Sequence, residues 1–272
     1  MIFLYNNTMK SGTNKGKKLN ILVCNDDGID APGIFALVKE LKRIGEITVV
    51  APAKQQSAVG HAITMNSPLR VREYHRDGKF FGFAVDGTPA DCVKLAIRAL
   101  LKKKPNLLVS GINHGSNTAI SIIYSGTVSA ATEGTIFGIP SIAISLTTYA
   151  KPDFRYAAKF ARKLAQKVAD EGLPEGTLLN VNVPPIPEKE IRGVLVTRQG
   201  KARWDDRFDA RRDPANKEYY WLTGQLEETD KGLQFDQSAV RGKYVSVTPI
   251  QYDLTDYEMM AKMKRWSIDR LK

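Results

Sequence analysis

Residues 19–41 read Leu19-Asn20-Ile21-Leu22-Val23-Cys24-Asn25-Asp26-Asp27-Gly28-Ile29-Asp30-Ala31-Pro32-Gly33-Ile34-Phe35-Ala36-Leu37-Val38-Lys39-Glu40-Leu41. The first six form an apolar run of strand length, the next four are polar and end in glycine, and Pro32 opens an apolar-periodic stretch from Ile34 to Leu41 that Gly45 closes. This is strand, loop and helix, with Asp30 the expected N-cap and Pro32 in the first turn. A second strand, Glu46 to Val50, follows directly.

The same alternation continues outward. Phe80 to Val85 reads as a strand, and Thr88-Pro89-Ala90-Asp91 supplies a cap, a first-turn proline and an acidic third position for a helix reaching about Lys103. Leu107 to Val109 is strand-like, Thr127 to Phe137 helical, and Ser141 to Leu146 a strand after Gly138-Ile139-Pro140. Phe154 to Ala169 is amphipathic, with Phe154, Ala157, Ala158, Ala161, Leu164 and Val168 on one face; Leu178 to Val183 and Val194 to Thr197 extend the sheet. The pattern is that of an α/β protein with parallel strands and crossover helices. Beyond Gly200 the texture changes: Trp204 to Pro214 is rich in Arg and Asp, two β-like segments (Glu218 to Leu222, Tyr244 to Pro249) flank a polar connection, and a last helix covers Asp256 to Leu271. The expected organisation is a basic lead-in (1–18), a catalytic core (19–198) and an appendage of hairpin and C-terminal helix (199–272) used for self-association.

The chain has 272 residues, 43% hydrophobic and 25% charged, which excludes general disorder. No run approaches the roughly 18 to 20 apolar residues of a membrane span. Met1 to Tyr5 precedes the lysines and lacks the order of a secretory signal, and two cysteines, Cys24 and Cys92, speak for reduced thiols in the cytoplasm. The net charge of +11 invites a nucleic-acid reading, but lysines gather in the lead-in (Lys10, Lys15, Lys17, Lys18), at Lys102-Lys103-Lys104 and from Lys262 to Lys272. Solvated tails and helix C-termini account for such groups without a polyanionic partner.

In an open parallel sheet, ligands bind beyond the C-terminal ends of the strands. Asn25-Asp26-Asp27-Gly28 falls there, as do Ser110-Gly111-Ile112-Asn113 and, a few residues past the second strand, Gln55-Gln56-Ser57. Adjacent carboxylates repel unless neutralised, so Asp26 and Asp27 suggest a divalent metal; alternatively one caps the following helix and the other is solvated. Asn113 and Ser57 would add neutral oxygens, a set suited to one Mg²⁺ or Mn²⁺. His61, His75 and His114 are scattered and lack zinc spacing. Ser125-Gly126-Thr127 precedes a helix, where exposed N–H groups and hydroxyls form either a phosphate cradle or an ordinary cap. Cys92 and Arg98 match a thiol-phosphatase spacing but sit mid-helix without glycine, and neither a Walker loop nor a dinucleotide fingerprint is present.

In combination, Asn25-Asp26-Asp27-Gly28 with Ala31-Pro32-Gly33, Ala51-Pro52 with Gln56-Ser57, Ser110-Gly111-Ile112-Asn113 with Gly115 and Asn117, and Tyr124-Ser125-Gly126-Thr127-Val128 with Glu133-Gly134 resemble the SurE family of metal-dependent nucleotidases. Arg211-Arg212-Asp213-Pro214, Tyr219-Tyr220-Trp221-Leu222 and Tyr244-Val245-Ser246-Val247-Thr248-Pro249 carry the resemblance nearly to the C-terminus. It implies a Rossmann-like, mostly parallel sheet with helices on both faces, and a hairpin and C-terminal element exchanged between subunits of a homodimer or homotetramer. It implies metal ligation by Asp26, Asp27, Ser57 and Asn113, phosphate binding by Ser125, Gly126 and Thr127, and hydrolysis of nucleoside 5′- and 3′-monophosphates with Asp26 or Asp27 acting on water. A histidine role known in some members matches none of the three histidines by motif. Two rivals stand beside hydrolysis by water: an aspartyl-phosphate mechanism, for which the usual Asp-x-Asp is missing, and a noncatalytic basic nucleic-acid-binding protein, for which no reader module is evident.

Overall fold

The computed structural model describes residues 18–227 and 230–271. Residues 1–17 of the lead-in lie outside the described residues. The elements run β1 (Leu19–Cys24), α1 (Pro32–Leu41), β2 (Gly45–Pro52), β3 (Val71–Arg76), β4 (Lys79–Val85), α2 (Pro89–Leu95), β5 (Leu107–His114), α3 (Gly126–Ile136), β6 (Ser141–Leu146), α4 (Arg155–Glu171), β7 (Thr177–Val183), β8 (Gly193–Val196), β9 (Arg203–Arg212), β10 (Glu218–Glu227), α5 (Asp236–Arg241), β11 (Tyr244–Gln251) and α6 (Tyr257–Met263). Nine strands make one sheet in the order β3-β4-β2-β1-β5-β6-β7-β11-β8, while β9 and β10 pair only with each other. From β4 to β7 across the sheet all neighbours are parallel; β3 and β11 run antiparallel to β4 and β7.

Side-chain alternation assigns two cores. Ile21 and Val23 of β1 face one way with Leu107, Val109, Ile142 and Ile144, under α1 and α4. Leu22 and Cys24 face the other with Leu108, Ala143, Cys92 and Val93, under α2 and α3. Helices therefore cover both faces, and each fully buried Leu or Ile contributes about 1.5–3 kcal/mol. α1 approaches β5 so closely that a Cβ on Gly33 would sit 2.0 Å from the Ile112 carbonyl oxygen. α2 starts with the expected capping box: the Thr88 hydroxyl accepts from the Asp91 N–H while the Asp91 carboxylate accepts from the Thr88 N–H.

Several expectations are corrected. Asp30 does not cap α1; Ala31 is the N-cap and no side chain bonds there. β3 falls in a stretch without alternating apolar residues. The helix after Thr88 leaves α geometry at Ala96 for one π turn, ending at Leu100. Ser110 to Asn113 lie within β5, not beyond it. The partner of Glu218–Glu227 is Arg203–Arg212, and Tyr244–Gln251 is inserted in the main sheet between β7 and β8. The hairpin strand β9 was obscured because its ten residues include seven charged ones.

Candidate active site

From β1 the chain moves outward to β2 and β4, then crosses through α2 to β5 on the opposite side of β1. The order reverses between β1 and β5, and the C-terminal ends of those two strands are where an open α/β sheet places its ligand crevice. Asn25 starts the loop that fills it. Its amide NH₂ donates to the Gly28 carbonyl at 2.7 Å, and Gly28 takes φ +100°, a conformation open to glycine. The Asn25 side-chain oxygen, Oδ1, is buried with no hydrogen-bond partner among the described residues.

Asp26 is 4% exposed. One of its carboxylate oxygens accepts from the Thr127 hydroxyl at the start of α3, and its main-chain carbonyl accepts from the Gln56 N–H at 2.7 Å. Gly126 is what lets α3 come this close: a Cβ there would meet the Asp26 Cβ at 2.7 Å. Asp27 accepts from the His114 main-chain N–H at 2.9 Å, at the last residue of β5. Burial, with Asp27 adding to it and the Thr127 hydrogen bond opposing it, raises the Asp26 pKa to about 6. Burial also raises that of Asp27, against the hydrogen bond and the charge of His114. Neither carboxylate is used to cap α1.

Four stretches thus meet at the pair: the β1 loop, the 53–57 loop, the end of β5 and the start of α3. Asn113 is 9% exposed, and its NH₂ donates to the Gly115 carbonyl at 2.9 Å, which leaves its oxygen as the available donor. Ser57 is exposed, with its hydroxyl accepting from the Gln55 amide at 2.7 Å. Ser125 does cap α3, taking the Val128 N–H at 3.1 Å. Thr127 is fully buried with its hydroxyl committed to Asp26 and its N–H facing the same carboxylate, so an anion at this turn meets the Gly126 N–H and the Ser125 hydroxyl more than Thr127.

The residues fit a hard cation. Two desolvated carboxylates have no Lys or Arg pairing with them among the described residues, and their surroundings offer amide and hydroxyl oxygens. Among the described residues no cluster of three or more His, Cys, Asp and Glu forms. The donor set leaves positions for water and a phosphoryl oxygen.

Sequence reasoning missed two contributors, Glu133 and the main chain of His114. Glu133, 1% exposed, bonds His61 Nε2 at 2.7 Å and Lys94 Nζ at 2.6 Å. These bonds overcome burial and lower its pKa. With Thr64 on Asp91 and the Gly60 N–H on the Tyr124 carbonyl, they pin the loop that carries Gln56 and Ser57. His114 acts through its main chain on Asp27, a role no side-chain pattern announces. Cys92 is buried in the second core, and burial pushes its thiol up.

A family model described as "Survival protein SurE" matches residues 21–206, more than half of the chain. The chain belongs to the SurE family. Among its SurE relatives, the protein named 5′-nucleotidase SurE of Chlorobium phaeobacteroides is 54% identical over 93% of this chain and 98% of its own. That of Chlorobaculum tepidum is 51% identical over 94% of this chain and 97% of its own. The crystal structure of the SurE protein from Aquifex aeolicus superposes with TM-score 0.79 at 44% identity, covering 91% of this chain and 99% of that one. The SurE match spans all four stretches that meet at the carboxylate pair. No helix among the described residues is long and apolar enough to cross a membrane.

Proposed function

We propose that this SurE chain is a divalent-metal-dependent phosphomonoesterase that hydrolyses nucleoside 5′-monophosphates, and 3′-monophosphates with them, to nucleoside and phosphate. The observation that carries this reading is the carboxylate pair, Asp26 buried and Asp27 half-buried, free of cationic side chains among the described residues and set against the N-terminus of α3 at the switch point. The relatives named 5′-nucleotidase point the same way.

Asp26, Asp27, Ser57 and Asn113 would hold one Mg²⁺ or Mn²⁺ per subunit. When bound, such an ion neutralises developing phosphoryl charge and acidifies water. The start of α3 binds the non-bridging oxygens through the Gly126 N–H and the Ser125 hydroxyl, aided by the positive end of the helix. Thr127 holds Asp26 in place. The carboxylate of Asp26 or Asp27 orients the attacking water and takes its proton. The phosphorus–ester oxygen bond breaks, and the nucleoside oxygen leaves opposite the water and is protonated from solvent. The free thiols Cys24 and Cys92 suit a reducing cytoplasm.

Self-association rests on the hairpin. Register places Phe208, Tyr220 and Leu222 on one of its faces, all exposed. An isolated two-stranded hairpin with an apolar face needs a partner, and a second copy supplies it as a homodimer or homotetramer.

The test is phosphate release from nucleoside 5′- and 3′-monophosphates with Mg²⁺ or Mn²⁺. Release that EDTA abolishes supports the reading. No release with either metal, or release indifferent to EDTA, overturns it, and salt-sensitive RNA binding without release would favour the nucleic-acid alternative.

A further inference from the structure

A cleft of about 360 Å³ lies beside the segment that follows β5; neither carboxylate of the pair is among its lining residues. One wall is the segment after β5, where Ser116, Thr118 and Ser121 line it. The same segment begins at Asn113 and ends at Ser125, so it joins the two halves of the proposed site. The other walls carry Tyr149, from the loop after β6, and Trp204, from the second position of β9.

Contacts tie this cleft to the carboxylates. The His114 N–H bonds Asp27, and the His114 ring bonds the Ala150 carbonyl at 2.8 Å. Tyr149, next to Ala150, lies against Gly115, where a Cβ would come within 2.9 Å of its ring. Gly115 takes φ +132°, and its carbonyl accepts from Asn113. Ala119 to Tyr124 forms a 3₁₀ turn, so about 8 Å separates Ser121 from Ser125 at roughly 2 Å per residue. A ribose interposes a distance of that order between phosphate and base.

The chemistry of the walls is that of a base site. Tyr149 and Trp204 are 77% and 47% exposed, aromatic surface that neither core uses. The Thr118 hydroxyl bonds the Gln237 amide oxygen, which leaves the Gln237 NH₂ without a protein acceptor among the described residues. Stacking surfaces with a free amide donor suit a flat heterocycle carrying carbonyl or ring-nitrogen acceptors. We infer that this cleft binds the nucleoside half of the substrate, with the base stacked on Tyr149 and Trp204 and its edge read by Gln237. The inference rests on the phosphomonoesterase reading for its substrate but is tested apart from it.

Tyr149→Ala and Trp204→Ala, with Tyr149→Phe as the conservative variant, are compared with the unaltered enzyme on AMP and on ribose 5-phosphate, which lacks the base. Loss of stacking raises the AMP KM about tenfold in each Ala variant. Ribose 5-phosphate kinetics stay unchanged, and Tyr149→Phe restores the AMP KM. An AMP KM unmoved in both Ala variants, or an equal rise for ribose 5-phosphate, overturns the inference. Adenosine binding followed by calorimetry needs no turnover: weakened binding in the Ala variants supports the cleft even if the chain releases no phosphate, and equal affinity in all four proteins overturns it. Absence of phosphate release from both substrates in the unaltered enzyme would instead overturn the phosphomonoesterase reading.

Discussion

At the scale of single residues, the account turns on Asp26. Its carboxyl is held near 6 by burial despite the Thr127 hydrogen bond, so near-neutral pH is where it changes charge. A raised folded-state pKa means that this group stabilises the metal-free protein fully below its ordinary value and ceases to do so as pH rises through about 6. Metal binding needs the ionised form and reverses that preference. Mn²⁺ affinity measured by calorimetry is therefore expected to weaken about tenfold between pH 7.5 and pH 5. Thr127→Val removes a bond that favours the carboxylate, so the same decline begins at higher pH; affinity flat across this range in both proteins would contradict the assignment. The placement of Asp26 and Asp27 after β1 and of Ser125 at the cap of α3 is legible from sequence, because a strand end and a helix start coincide there with the expected residue types. The commitment of the Thr127 hydroxyl to Asp26 is not, since 101 positions separate them and nothing local encodes the contact.

At the scale of elements, legibility follows burial. β1, β6 and β7 carry Leu, Ile, Val and Ala on both faces and are largely buried, and their bounds agree closely with the sequence reading. β3 and β9 are exposed strands stabilised by pairing more than by burial, so hydrophobic periodicity passes over them. The loop between β2 and β3 is also hidden from pattern reading, because polar residues hold it: His61 on Glu133, Thr64 on Asp91 and Thr88 on the Ala62 carbonyl. Glu133→Gln keeps the volume and removes the charge facing His61 and Lys94. It is expected to lower stability by about 1–3 kcal/mol and to speed hydrogen exchange between residues 57 and 65. The Glu133 pKa is lowered because bonds from His61 and Lys94 outweigh burial, so its contribution is present above the ordinary carboxylate range and is lost as pH falls through the folded value. Unchanged exchange in that loop would show that the buried glutamate does not anchor it.

At the scale of the molecule, the alternation of strand and helix from Leu19 to Val196 already implied the two-faced sheet, and the structure adds the order reversal that locates the crevice. The antiparallel insertion of β11 was not legible, since periodicity describes a strand but not its neighbours. The hairpin projects its apolar face outward, and Leu222→Asp is expected to shift the light-scattering mass from an oligomer to the monomer without unfolding the core. An unchanged mass would remove the hairpin from the interface. The surplus of positive charge, which first suggested a polyanionic partner, is secondary in the proposed function to two carboxylates and a cation held between them. The most direct test of that claim is phosphate release from AMP by EDTA-treated protein titrated with Mn²⁺, run beside Asp26→Asn and Asp27→Asn variants whose folding is verified by circular dichroism. The account predicts saturable restoration of activity by Mn²⁺ in the unaltered enzyme and a loss of at least about a hundredfold in each variant; full turnover in either variant, or turnover without metal, would contradict it.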